Sequence, residues 1–215
     1  MKGDFGKVSL GQGSEAGDGA TEADFSGTYV LNGAAYNTWG LNGRIQQLDG
    51  GRDERLRYDT PKLGGVASVA LDIDTNDNLG LGVKLGGSSW KAAFYHESKD
   101  ANNADETGAS FALKAGVVTA ALQLGTIDET ATNANDDRDY SKLILGYRAG
   151  AISVSVDLGQ SETDNGLAAD EQTTGLNVVY RPTKGVELYG GVREAEDKLA
   201  NTDGQGFLVG GRVKF

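Results

Sequence analysis

The sequence has no cysteine, which removes a disulfide framework, a thiolate metal site and a thiol nucleophile together. Two prolines in 215 residues leave no room for a Pro-rich linker. A single histidine leaves little scope for imidazole chemistry. Basic residues are also short: 20 Lys and Arg stand against 31 Asp and Glu, for a net charge of -11. That balance argues against nucleic-acid binding through phosphate neutralisation. No apolar run approaches the roughly 20 residues of a transmembrane helix, although membrane strands need only about 9–11 alternating residues. No signal peptide precedes Gly3, and Met1–Lys2 read as the start of a mature or shortened chain. No cofactor and no metal are expected.

What the chain has instead is glycine, 33 residues of it, and alternation. In Ser141–Gln160, Leu143, Leu145 and Tyr147 alternate with Lys142, Gly146 and Arg148. After the tight Ala149–Gly150 reversal, Ile152, Val154, Val156 and Leu158 alternate with Ser153, Ser155, Asp157 and Gly159. Side chains on a strand point to opposite faces in turn, so this is an antiparallel hairpin with one apolar and one polar face. The same unit recurs from Arg52 to the end, giving about 12 strands with Phe5–Gln12 included. The apolar phase carries no Lys, Arg, Asp or Glu. Val66, Ile144, Val179 and Leu208 break the rule by falling in the polar phase.

Connections alternate between tight turns (near 63, 87, 115, 149 and 183) and longer acidic loops (99–106, 128–139, 161–170 and 195–204). A soluble sandwich also alternates, so strand length and connectivity must decide. Strands of about 9–11 residues, with turns on one side and loops on the other, predict an all-β, antiparallel up-and-down transmembrane β-barrel. Tyr58, Trp90, Phe94, Tyr147, Tyr180 and Phe215 share the apolar phase and suit membrane-facing aromatic girdles. Residues 13–50 lose the alternation over about 40 residues, far beyond an ordinary connection, which marks a functional loop.

The pieces GDFGKVSLGQG (3–13), RLRYDTPKLGG (55–65) and the terminal GGRVKF, in that order and spacing, resemble the Gram-negative general porins. The resemblance implies a single barrel over residues 1–215 in the outer membrane of a Gram-negative bacterium. It implies a water-filled channel for passive diffusion of ions and small hydrophilic solutes, and a possible homotrimer. It also implies that residues 13–50 fold into the lumen as a constriction loop. Porins of the sixteen-stranded type have about four further strands before the segment matching Phe5–Gln12. The chain is therefore expected either to be a shortened barrel or to close with twelve strands.

Within that frame Glu15, Asp18, Glu22 and Asp24 are the candidate acids of the constriction loop. Arg55 and Arg57 lie on the nearest wall strand, with Arg44 and Arg52 close in sequence. Lys84, Lys91, Lys114, Arg148, Arg181, Arg193 and Arg212 share the polar phase and complete the expected basic wall. Acids facing bases across a narrow pore would create a transverse field. Two other classes compete. An outer-membrane enzyme would need His96, which falls in the phase of Trp90 and Phe94, outside the lumen. A soluble or surface β-rich binding protein without channel activity is the other alternative. Asp72-x-Asp74-x-Asn76-x-Asn78 begins like a calcium loop, but Asp77 and Val83 stand where Gly and Glu are needed, so it reads as a polar hairpin tip.

Overall fold

Alternation of this kind can only be satisfied in a sheet, and the computed structural model shows one. It describes residues 1–33, 52–99, 104–129, 137–163, 171–197 and 202–214. The chain opens with β1 (Lys2–Gly3) and β2 (Gly6–Ser14), followed by the short helix α1 (Tyr29–Asn32). Then come β3 (Arg52–Asp59), β4 (Ala67–Asp74), β5 (Leu79–Gly86), β6 (Trp90–Lys99), β7 (Ala104–Ala115) and β8 (Val118–Glu129). The last five are β9 (Arg138–Ala149), β10 (Ile152–Thr163), β11 (Glu171–Tyr180), β12 (Val186–Asp197) and β13 (Thr202–Val213).

Every strand pairs with its sequence neighbours in one antiparallel, up-and-down sheet of 13 strands. The expected count of about twelve is thus short by one. The missing strand is β1, two residues long, which pairs Lys2 with Lys7 and Gly3 with Gly6. Two residues cannot display a period of two. The tight turns use glycine where the backbone demands it: Gly150 between β9 and β10 has φ 55, a conformation that costs an L side chain. The turn fixes Ala149 opposite Ile152, and the register runs on to Arg138 opposite Thr163.

Burial is inverted relative to a soluble protein. In β11 Glu171, Thr173, Gly175, Asn177 and Val179 are buried, while Gln172, Thr174, Leu176, Val178 and Tyr180 are exposed. The same phase exposes Leu71, Leu122, Leu145, Val156, Leu188 and Val209 on other strands. Exposed apolar area on this scale marks a surface that is covered by something other than water. A sheet in lipid must also pair its backbone polar groups, which the uninterrupted ladder does between neighbours. The polar face is the inner one. Asp157 and Arg193 meet there in a 2.8 Å ion pair, both side chains almost fully enclosed.

Candidate functional site

The inner face carries the segment that follows β2. From Ser14 to Gly33 the chain runs across the sheet: its first contacts are with β3, β4 and β5, its middle ones with β6 to β9, and its last with β9 to β12. Arg57 Nη1 donates to the carbonyls of Ser14 (3.0 Å) and Glu15. The amide of Ala16 donates to Asp72 Oδ2 at 2.7 Å, an oxygen that also accepts from Arg55 Nη1 at 2.6 Å. Lys84 Nζ donates to the carbonyl of Asp18, and Ser110 on β7 donates to that of Ala20. Lys91 Nζ reaches the carbonyl of Asp24 at 2.9 Å and lies 4.5 Å over the Phe25 ring. Arg181 Nη2 reaches the carbonyl of Gly27, Thr28 Oγ1 meets Ser155 Oγ at 2.6 Å, and Lys142 Nζ reaches the carbonyl of Asn32.

Sequence makes this docking possible in two ways. Gly82 lets the backbone approach, since a Cβ there would sit 2.0 Å from the Ala16 carbonyl oxygen. The apolar residues that broke the alternation supply the landing patches. Ile144 (1 % exposed) packs with Ala112 and Ala121 against Ala23 and Phe25. Val179 (0 % exposed) packs with Tyr189 and Leu208 against Val30 and Leu31 of α1. A third contact sets Ala20 on Tyr95. Val66, the fourth exception, is exposed in the turn before β4.

Two of the four loop acids bond within their own loop. Asp24 accepts from the Ser26 amide (2.7 Å) and the Ser26 hydroxyl (2.6 Å). Glu22 accepts from the Tyr29 hydroxyl. Glu15 is buried beside Glu97 and Glu106, and burial, then the Glu97 carboxylate, push its carboxyl up to about 9. Ligand oxygens of these three glutamates lie within 4.8 Å of one another, close enough for a divalent cation. Lys99 already supplies a positive charge there, pairing with Glu97 at 3.5 Å and with Glu106. Asp18 is half-buried, and its carbonyl is held by Lys84.

The basic residues separate into groups. Lys84, Lys91, Lys114 and Arg148 are exposed on the inner phase, and Arg181 and Arg212 are half-buried there. Arg57 is half-buried and pairs with Asp59 at 2.7 Å. Arg55 and Arg193 share that phase but are enclosed by their partners Asp72 and Asp157. Arg52 is exposed where β3 begins, in phase with Leu56 and Tyr58 rather than with Arg55. Arg44 lies outside the described residues, as does Phe215. Among the aromatics, Phe94, Tyr147 and Tyr180 are exposed on the outer face. Tyr58 and Trp90 are half-buried on the same face, Tyr58 donating to the Phe5 carbonyl at 2.6 Å.

The sequence places Lys142 with the other cations of the polar phase, but it does not single out the anchors Ser26, Thr28, Ser110 and Ser155. Only their inward phase, in the wall residues among them, pointed to them. Asp74 accepts from the amides of Asn76 (2.8 Å) and Asn78 (3.1 Å), which makes the 72–78 stretch a self-bonded hairpin tip. His96 lies on the outer phase, with Nδ1 3.0 Å from Thr107 Oγ1.

A family model described as Gram-negative porin matches residues 1–200. No curated protein matches the sequence. Solved structures do. An anion-selective porin from Comamonas acidovorans superposes with TM-score 0.73 and 17 % identity, over 100 % of this chain and 76 % of that one. OmpT of Vibrio cholerae, in its trimer form, gives 0.70 and 13 % over 98 % and 77 %. The outer-membrane channel DcaP of Acinetobacter baumannii gives 0.65 and 12 % over 95 % and 69 %.

Proposed function

Because the chain belongs to the Gram-negative porin family, and so forms a water-filled diffusion channel in the outer membrane, we propose that residues 14–33 set the narrowest section of that channel. One observation carries this reading. Wall cations on β3, β5, β6 and β9, and Arg181 just after β11, each donate to a main-chain carbonyl of that segment. A loop held by its backbone presents a fixed outline to solutes, whichever way its side chains turn. We read residues 1–215 as one barrel unit with 13–50 as its inserted loop, of which 34–50 lie outside the described residues.

In this reading the accessible cations Lys84, Lys91, Lys114, Arg148, Arg181 and Arg212 line the water path, and Asp18, Glu22 and Asp24 face it from the loop. Arg55 and Arg193 act on the pore indirectly, by holding Asp72 and Asp157 on the wall. Tyr58, Trp90, Phe94, Tyr147 and Tyr180 contact lipid, and three copies assemble through part of that apolar face. His96 faces outward, so no His-based acid–base pair serves the lumen and the chain works without catalysis.

The absence of native cysteine allows a direct test. Asp24→Cys in a folded, bilayer-inserted channel, treated with an anionic thiosulfonate, is expected to lose conductance in discrete steps. Full labelling, verified by mass, with no change in current would contradict placement of the loop in the water path.

A further inference from the structure

Glu15, Glu97 and Glu106 come from three separate elements and meet at one point. Glu97 and Glu106 stand directly opposite each other on the inner face of β6 and β7. Like charges so placed repel and weaken the strand pairing. Glu15 brings a third carboxylate from the root of the loop. Its backbone is pinned from both sides: Arg57 holds the carbonyls of Ser14 and Glu15, and Asp72 holds the Ala16 amide at 2.7 Å. At Gly17 the chain presses on Tyr95, where a Cβ would lie 2.5 Å from a ring carbon. Glu15 is therefore aimed at the other two carboxylates by contacts that its own charge does not supply.

The three groups offer oxygens within 4.8 Å of one another. Two oxygens bound to one calcium ion at about 2.4 Å can stand no farther apart than about 4.8 Å. A second observation points into the same space. Tyr95, on β6 two residues before Glu97, is 1 % exposed, and its hydroxyl has no hydrogen-bond partner among the described residues. The charges it faces are the carboxylates of Glu106, Glu15 and Glu97. Oε1 of Glu15, a residue 2 % exposed, also lacks a partner there. Buried polar groups are normally paired, so a hydroxyl and a carboxylate oxygen left over at one spot mark a place for a polar ligand.

The counter-ion already present is loosely held. Lys99 bonds Glu106 but stands 3.5 Å from Glu97 Oε2, long for a charge-assisted hydrogen bond. Lys99 and Glu106 are half-buried and form the open side of the cluster, so the ammonium can swing out to solvent. Every donor is an oxygen, and His96 lies on the opposite face of β6, which suits a hard cation rather than zinc or copper. Three carboxylates in an enclosed space leave little room for the waters that magnesium keeps.

We propose that Glu15, Glu97 and Glu106 form a calcium site that staples the root of the loop to β6 and β7, displacing the Lys99 ammonium to solvent. The probe is calcium chloride, titrated calorimetrically into the full chain, folded in detergent micelles and cleared of metal with EDTA. The expected result is a saturable site that magnesium in excess does not fill. Glu15→Gln should weaken it about tenfold or more. Lys99→Gln, which removes the competing charge, should tighten it, and Asp203→Asn, on the outer face of β13, should leave it unchanged. In the parent, calcium should slow hydrogen exchange at the amides of residues 15–18.

No saturable calcium binding, equal affinity in the parent and Glu15→Gln, or weaker binding in Lys99→Gln would each overturn the proposal. Where a variant lacks the heat-modifiable mobility of a folded barrel, exchange in the parent decides: amides 15–18 unprotected by calcium overturn it as well. None of these readouts involves conductance, so the outcome is independent of the channel reading.

Discussion

Thr28 Oγ1 and Ser155 Oγ lie 2.6 Å apart, joining the loop to β10 at the end of a chain of hydroxyls that begins at Asp24. An ionised carboxylate only accepts, so Ser26 donates to Asp24 at 2.6 Å. Ser26 then accepts from Thr28 at 2.7 Å, and Thr28 accepts from Ser155. One charge sets the direction of every proton in the series. Ser155→Ala removes the bond to Thr28, worth about 1 kcal/mol, together with a longer one from Asn177 Nδ2 at 3.4 Å. Asp24→Asn disturbs the whole series and is expected to destabilise the loop more. Open-channel noise and loop proteolysis should rank the two variants in that order.

The buried pair of Arg193 and Asp157, 2.8 Å apart, is the most enclosed charge contact among the described residues. Asn177 Nδ2 also donates to Asp157 at 2.6 Å. Asp157→Ala leaves a guanidinium buried and is expected to cost about 3–5 kcal/mol. Replacing both partners, as Asp157→Leu with Arg193→Met, should recover most of that. Urea unfolding of the folded barrel, followed by heat-modifiable gel mobility, measures both.

Ile144 and Val179 explain themselves only through the loop. Their inward phase looked like a defect in the pattern, yet each is the floor of a patch on which the loop sits. Ile144→Ala should cost about 2–4 kcal/mol if the cavity stays open. The loss should fall on loop docking rather than on the strand ladder. Faster hydrogen exchange at residues 20–28, with strand amides unchanged, is the expected signature.

Glu15 gives the loop a pH dependence. The folded chain holds its proton up to about 9, while the unfolded chain releases it near 4.5. The folded state therefore binds more protons in that window, and the stability Glu15 contributes falls as pH rises through it. Below 4.5 the contribution is constant. Thermal unfolding between pH 5 and 9 should show this decline, and Glu15→Gln, which mimics the protonated group, should flatten it.

The architecture was legible because a period of two over eight or more residues survives any context: Leu143, Leu145 and Tyr147 against Lys142 and Arg148 are enough to set a face. β1 escaped because it is too short to carry a period. The loop's presence was legible from the loss of alternation after Gly13, but its path was not. Carbonyls have no sequence signature, so nothing in the chain announced that Lys84, Lys91, Lys142 and Arg181 would seek the main chain rather than the carboxylates of Glu15 or Glu22. The burial of Arg55 and Arg193 was hidden for the same reason. Their phase was plain, while the acids that enclose them, Asp72 and Asp157, lie 17 and 36 residues away.

If the segment docked across the inner face sets the width of the channel, removing it must widen the path. Single-channel conductance with polyethylene glycols of graded size tests it most directly, comparing the parent with a chain in which residues 17–31 are replaced by a short Gly-Ser link. The expected result is a clear rise in unit conductance and admission of larger polymers in the shortened chain. Equal conductance and an equal size limit in both would contradict it.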